Sequence, residues 1–105
     1  MKTTRRNDRL VVIPETDIVS SMAGTFRQEL LALIEEGGGD LEIDLSGVQM
    51  IDSVGLGVFI ALHNSLEKRE KRLFVANAAD HLHALFTTMG LHRRFSVTKK
   101  PAQAG

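Results

Sequence analysis

Residues 40–62, DLEIDLSGVQMIDSVGLGVFIAL, carry the pattern that decides the fold. Leu41, Ile43 and Leu45 alternate with Glu42 and Asp44, the two-residue period of a strand, and Val48 closes the segment. After a short turn, Ser53 opens a helix expected to run to about Arg69. Its first turns are apolar nearly all round (Val54, Leu56, Val58, Phe59, Ile60, Leu62), which predicts burial of that end against a sheet. A strand feeding a helix through a few residues is half of a strand-helix-strand unit.

The flanking sequence repeats this alternation. Leu10-Val11-Val12-Ile13 is β-branched and apolar and stops at Pro14, so a strand is expected there. A helix is predicted from Ser20 or Ser21, either of which could be its N-cap, to about Glu36, with Phe26, Leu30, Leu33 and Ile34 on one face. Gly37-Gly38-Gly39 ends it, because glycine enters the left-handed region without a steric penalty. Leu73-Phe74-Val75-Ala76 reads as another strand. Leu82, Leu85, Phe86 and Met89 mark a third helix that Gly90 ends, and Phe95-Ser96-Val97 a last short strand. Residues 1–9 are expected to be frayed, or at best a short edge strand, and residues 99–105 a disordered tail. The pattern predicts a single α/β domain over residues 1–105, with a mostly parallel or mixed central sheet of four to five strands flanked by helices.

Composition narrows the function classes. Thirteen basic residues balance thirteen acidic ones in a chain of 105, so no global field favours nucleic acid or an anionic membrane. Five aromatic residues, all Phe, offer little for stacking on bases. The absence of cysteine excludes a disulfide framework, a thiolate metal site and a cysteine nucleophile. The apolar stretch after Lys2, Arg5 and Arg6 is too short for a signal-peptide core, and Val54 to Leu62 falls well below the roughly 20 residues of a membrane span. The expectation is a soluble, cytoplasmic protein.

Candidate chemistry is sparse. Ser53 lacks the first glycine of a G-x-S-x-G nucleophile elbow. His63, His81, His83 and His92 have no supporting motif and are expected at the surface. His81 and His83 point to different faces of a helix, since helical neighbours are three or four apart. Asp40, Glu42 and Asp44 share one strand face and could ligate a hard cation, although a solvent-facing side of an amphipathic strand is the commoner meaning of that pattern. The charged run Glu67-Lys68-Arg69-Glu70-Lys71-Arg72 is more often a solvated surface than a binding site. Gly55-x-Gly57 lacks both the third glycine of a dinucleotide fingerprint and the Gly-Lys-Ser/Thr end of a phosphate loop. No catalytic residue, metal ligand or cofactor is assigned, and the chain alone is expected to bind no ATP. One position stands apart. Ser53 lies at a helix N-terminus, where free amides and the helix dipole favour negative charge, so a phosphoryl group would be tolerated there. The commoner role of Ser53 or Asp52 at such a place is a plain N-cap.

Asp52-Ser53-Val54-Gly55-Leu56-Gly57-Val58 resembles the D-S-[ST]-G-L-G-V signature of the STAS family, the sulfate-transporter and anti-sigma-factor-antagonist domain. Leu45, Val48, Ile51 and Asp52 match the spacing of the strand before it, Glu15-Thr16-Asp17 resembles an upstream G-E-[IL]-D element, and Leu85 to Leu91 resembles L-F-x-x-[ST]-G-L. Pro14 stands in place of the family's glycine before Glu15, and Val54 where a second hydroxyl is usual. The likeness spans Leu10 to Val97 and is greatest to small bacterial anti-sigma factor antagonists. It implies a partner-switching, non-enzymatic regulator, monomeric when free. Unphosphorylated, such a protein binds a serine-kinase anti-sigma factor with a histidine-kinase-like ATPase fold. Phosphorylation at the serine after the aspartate, here Ser53, parts the complex, and a PP2C-type phosphatase resets it. On this resemblance Ser53 is both N-cap and phosphoacceptor, and the docking face comprises Glu15, Asp17, Ser20, Asp52, Ser53, Val54, Gly55, Leu56 and Gly57. A STAS subunit of a membrane transport complex is the alternative. A receiver domain phosphorylated on Asp44 is a weaker one, because Glu15 and Asp17 make a poor Mg²⁺ pair and Lys99 lies too far along the chain.

Overall fold

The computed structural model describes residues 1–102. Its elements are β1 (Lys2–Arg6), β2 (Arg9–Ile13), α1 (Ser20–Glu35), β3 (Asp40–Asp44), α2 (Ser53–Lys68), β4 (Leu73–Ala78), α3 (Asp80–Thr88), a 3-10 turn (Leu91–Arg93) and β5 (Ser96–Lys99). The strands lie side by side in sequence order, with β1 antiparallel to β2 and every later pairing parallel. This is the mixed α/β sheet the sequence predicts. The N-terminal residues do not fray: Lys2 to Arg6 pair with β2 across a turn where Asn7 takes a positive φ of 58°, a conformation Asn tolerates. At the other end, β5 extends to Lys99, and the Lys100 N–H donates to the Ala78 carbonyl at 2.8 Å, so the expected tail is ordered that far. Residues 103–105 of that tail lie outside the described residues.

Parallel neighbours added in one direction need right-handed crossovers, and these place all connecting helices on one face of the sheet. The core follows from that. Val12, Leu41, Ile43, Leu73 and Val75 from the sheet form one cluster with Phe26 and Leu30 of α1, Phe59 and Leu62 of α2, and Leu82 and Phe86 of α3. Phe59 and Phe86 meet edge to face, with ring centroids 5.1 Å apart. His63 departs from the expected surface position: it is buried in α2, its ring centroid 5.7 Å from that of Phe95.

The opposite face is closed by side chains. Val11, Glu42 and Phe74 stand in cross-strand register there. The expected solvent-facing acidic side of β3 is therefore wrong at its centre: the Glu42 side chain is only 7% exposed. Arg9 donates to Glu42 Oε1 at 2.8 Å while its guanidinium lies 3.6 Å from the Phe74 ring centroid. One cation thus neutralises a buried carboxylate and covers an aromatic ring.

Removing that cation leaves a buried acceptor unpaired. Arg9→Ala should cost about 1–3 kcal/mol, seen as a lower urea midpoint. Pairing Arg9→Met with Glu42→Leu should restore most of the loss, since a buried ion pair and an apolar pair of like volume are often equivalent.

Candidate functional site

Two loops at the C-terminal ends of β2 and β3 are zipped together. Ile18 and Ile51 form a parallel bridge, the Ile18 N–H donates to Met50 O at 3.0 Å, and the Asp52 N–H donates to Ile18 O at 3.3 Å. Asp17 Oδ1 accepts from both Gln49 N and Met50 N, at 2.9 and 3.0 Å. His81, near the start of α3, brings Nε2 within 2.6 Å of Gln49 O. Gln49, Met50 and Asp52, on the approach to Ser53, are therefore held through their backbone from a distant part of the chain.

Asp52 is the junction. As N-cap of α2 its Oδ1 accepts from Gly55 N at 2.8 Å. Its Oδ2 accepts from Ser20 N, also at 2.8 Å, although Ser20 belongs to α1. One carboxylate caps two helices. The Gly55 N–H first, and then the Ser20 N–H, hold the Asp52 carboxyl below the usual carboxylate range. This corrects two expectations. Neither Ser20 nor Ser21 caps α1, whose N-cap is Val19 with no capping side chain; a long-range carboxylate serves instead. Nor is Ser53 the cap of α2, so the helix has no need of its hydroxyl.

The structure sorts the predicted docking residues. Ser53, Val54 and Gly57 are exposed on the outer side of α2, and Ser20 is exposed at the start of α1. Glu15 is exposed in the β2–α1 loop, where its carboxylate lies 3.5 Å from Lys2 Nζ. Asp17 and Asp52 are spent on backbone amides. Leu56 is buried. Gly55 is buried as well, and a Cβ there would run into the backbone oxygen of Ile18, so this glycine permits close packing within the chain and not the approach of a partner. At Gly57 a Cβ would meet nothing within 4 Å.

The structure also adds two residues. Met50 is 57% exposed and Ile60 37%, and together with Val54 at 51% they give the Ser53 region an apolar surface. Ile60 lies seven residues after Ser53, on the same helix face. That spacing was visible in the sequence, but the helix start is apolar on all sides and nothing local says which side meets the core. Among the described residues no group of three or more His, Asp or Glu side chains gathers as a metal site, and no helix is long and apolar enough to cross a membrane.

A family model described as "Mlab, STAS domain" matches residues 2–99. The anti-sigma-B factor antagonist of Bacillus subtilis (strain 168) is 31% identical over 100 residues, spanning 95% of this chain and 89% of that protein. The crystal structure of an anti-sigma factor antagonist from Mycobacterium paratuberculosis aligns with a TM-score of 0.82 at 24% identity, over 92% of this chain and 82% of that one. The murine Solute Carrier 26 family member A9 anion transporter aligns with a TM-score of 0.77 at 20% identity, over 93% of this chain and 17% of the transporter. These two structural likenesses speak to the fold alone.

The two glycines should separate cleanly. Gly55→Ala forces a methyl into packed backbone and should destabilise by about 1–3 kcal/mol. Gly57→Ala should stabilise by roughly 0.5–1 kcal/mol, as for an open helical glycine. Asp52 adds a pH dependence: because its pKa is lowered in the fold, its contribution is present above about pH 4 and is lost as pH falls further. The melting-temperature gap between the parent and Asp52→Asn should therefore be widest near neutrality and shrink below about pH 4.

Proposed function

The chain belongs to the STAS domain family, and we propose that it acts as an anti-sigma factor antagonist: a regulator that docks on a serine-kinase anti-sigma factor and is released when Ser53 is phosphorylated. The observation that carries this reading is the division of labour between neighbours. Asp52 does the capping, which leaves Ser53 exposed at the first position of α2, between the apolar side chains of Met50 and Val54. The regulatory names of its relatives agree with this role.

The docking face in this reading is narrower than the motif. It consists of Met50, Ser53, Val54, Gly57 and Ile60, with Glu15 and Ser20 beside it. Gly55, Leu56, Asp17 and Asp52 shape it from beneath. The kinase partner, a histidine-kinase-like ATPase, supplies ATP. The terminal phosphoryl group passes to Ser53 Oγ, the bond to the nucleotide's leaving oxygen breaks, and the hydroxyl proton goes to a base of the kinase. A PP2C-type phosphatase hydrolyses the ester and resets the switch.

The energetics favour dissociation over unfolding. The phosphate brings about −1.5 to −2 charge. A helix N-terminus stabilises an exposed anion by about 0.3–1 kcal/mol, so the domain tolerates it. Against a partner the same charge would be desolvated beside the Asp52 carboxylate and among apolar side chains. A loss of about 4 kcal/mol there weakens binding roughly a thousandfold.

Ser53→Ala should retain the kinase as bait and accept no phosphate, while Ser53→Asp should bind it far more weakly. Gly57→Arg should abolish the complex with little change in melting temperature. In vitro phosphorylation with site mapping, followed by binding assays, measures all three. Phosphate on another residue, or tight binding by Ser53→Asp, overturns the reading.

A further inference from the structure

Two basic segments, about twenty residues apart in sequence, meet at the end of the sheet opposite Ser53. Lys71 and Arg72 lead into β4, and Arg93 and Arg94 precede β5. Because β4 and β5 are parallel neighbours, with Phe74 opposite Ser96, the stretches just upstream of each strand lie side by side. Between them and the C-terminal half of α2 is a cavity of about 550 Å³. That volume falls within the range of roughly 300–1,000 Å³ typical of small-molecule sites.

The cavity has a built floor and a charged rim. Leu73, Phe95 and His63 are buried among its lining residues, and Phe74 is half-buried beside them. The rim carries four cations, Lys71, Arg72, Arg93 and Arg94, against two carboxylates, Glu67 and Glu70. Glu67 is turned toward His63, its Oε2 3.5 Å from Nε2. None of the four cations is among the ion pairs formed within 4.0 Å by the described residues. In a chain with thirteen charges of each sign, this concentration is local.

The backbone beneath these side chains is fixed. After α2 ends, the Lys71 N–H donates to Leu66 O and the Arg72 N–H to Asp40 Oδ1, both at 2.9 Å. On the other side the Arg93 N–H donates to Gly90 O at 3.2 Å and the Arg94 N–H to Leu91 O at 2.9 Å. The charged run is solvated as the sequence predicts, and four of its exposed residues, Glu67, Glu70, Lys71 and Arg72, line one side of the recess. Like charges gathered around an apolar floor repel one another until an anion sits between them, and arginine forks match phosphate oxygens two at a time.

We propose that this cavity binds a small phosphorylated ligand bearing two or more negative charges, its phosphate held between Arg72 and the Arg93–Arg94 pair. The site differs in kind from a phosphate loop, because side chains and not backbone amides supply the charge. It also lies apart from the docking face: α2 spans about 24 Å at 1.5 Å per residue, with Ser53 at one end and the cavity at the other.

The test is an NMR titration of the full chain with sodium tripolyphosphate, ionic strength held constant with sodium chloride. Saturable shifts confined to residues 63–74 and 92–96, with the Ser53 amide unmoved, are expected. Arg72→Ala combined with Arg94→Ala should weaken binding at least about tenfold with the fold retained. Should that pair fail to fold, Arg93→Gln alone must still weaken binding. Shifts that never saturate, shifts spread equally to Lys2, Lys99 and Lys100, or affinity untouched by these variants would overturn the proposal. So would a short DNA duplex that displaces tripolyphosphate from the same residues, which would mark a general polyanion surface.

Discussion

A single carboxylate shared between two helix N-termini is the constraint on which the Ser53 end of the molecule depends. Asp52 has two oxygens and spends each on a different helix, one on Gly55 of α2 and one on Ser20 of α1. Orphan amides at a helix start need an acceptor, and here neither helix supplies its own from a serine. The arrangement brings α1, α2 and the loop at Ile18 so close that the residue at 55 can have no side chain. It also leaves Ser53 without a capping role, as the proposed modification without unfolding requires.

The topology explains why the two proposed recognition surfaces lie at the ends of the sheet. Successive parallel strands added in one direction put every helix on the same face, and the core forms there. The other face lacks that cover, and Arg9, Glu42 and Phe74 close it by charge and stacking. The two rims where strands meet helices carry the proposed surfaces. One presents Ser53 with the exposed apolar side chains Met50, Val54 and Ile60; the other presents Lys71, Arg72, Arg93 and Arg94 around a recess lined by the buried Phe95.

The two rims also differ in how firmly they rest on local sequence. The Ser53 rim is built around a motif of seven consecutive residues and modified by long-range contacts. The basic rim has no motif at all, because its cations come from two segments that only the pairing of β4 with β5 brings together.

By itself the sequence determined the strands at β2, β3 and β4, the spans of α1 and α2, and the place of Ser53 at a strand-turn-helix junction. Those features rest on periodicity, glycine stops and neighbours within a few residues, all of which are local. The tertiary structure alone decided which oxygen caps which helix, because the Asp52 to Ser20 bond joins residues 32 apart. It decided that Gly55 serves packing while Gly57 stays open, since the difference is the distant carbonyl of Ile18. It buried the central acid of an alternating strand on the face away from the helices, where an arginine 33 residues away on the neighbouring strand pairs with it. Local patterns specify elements; whether a charged or small residue is structural or available depends on what the fold sets against it.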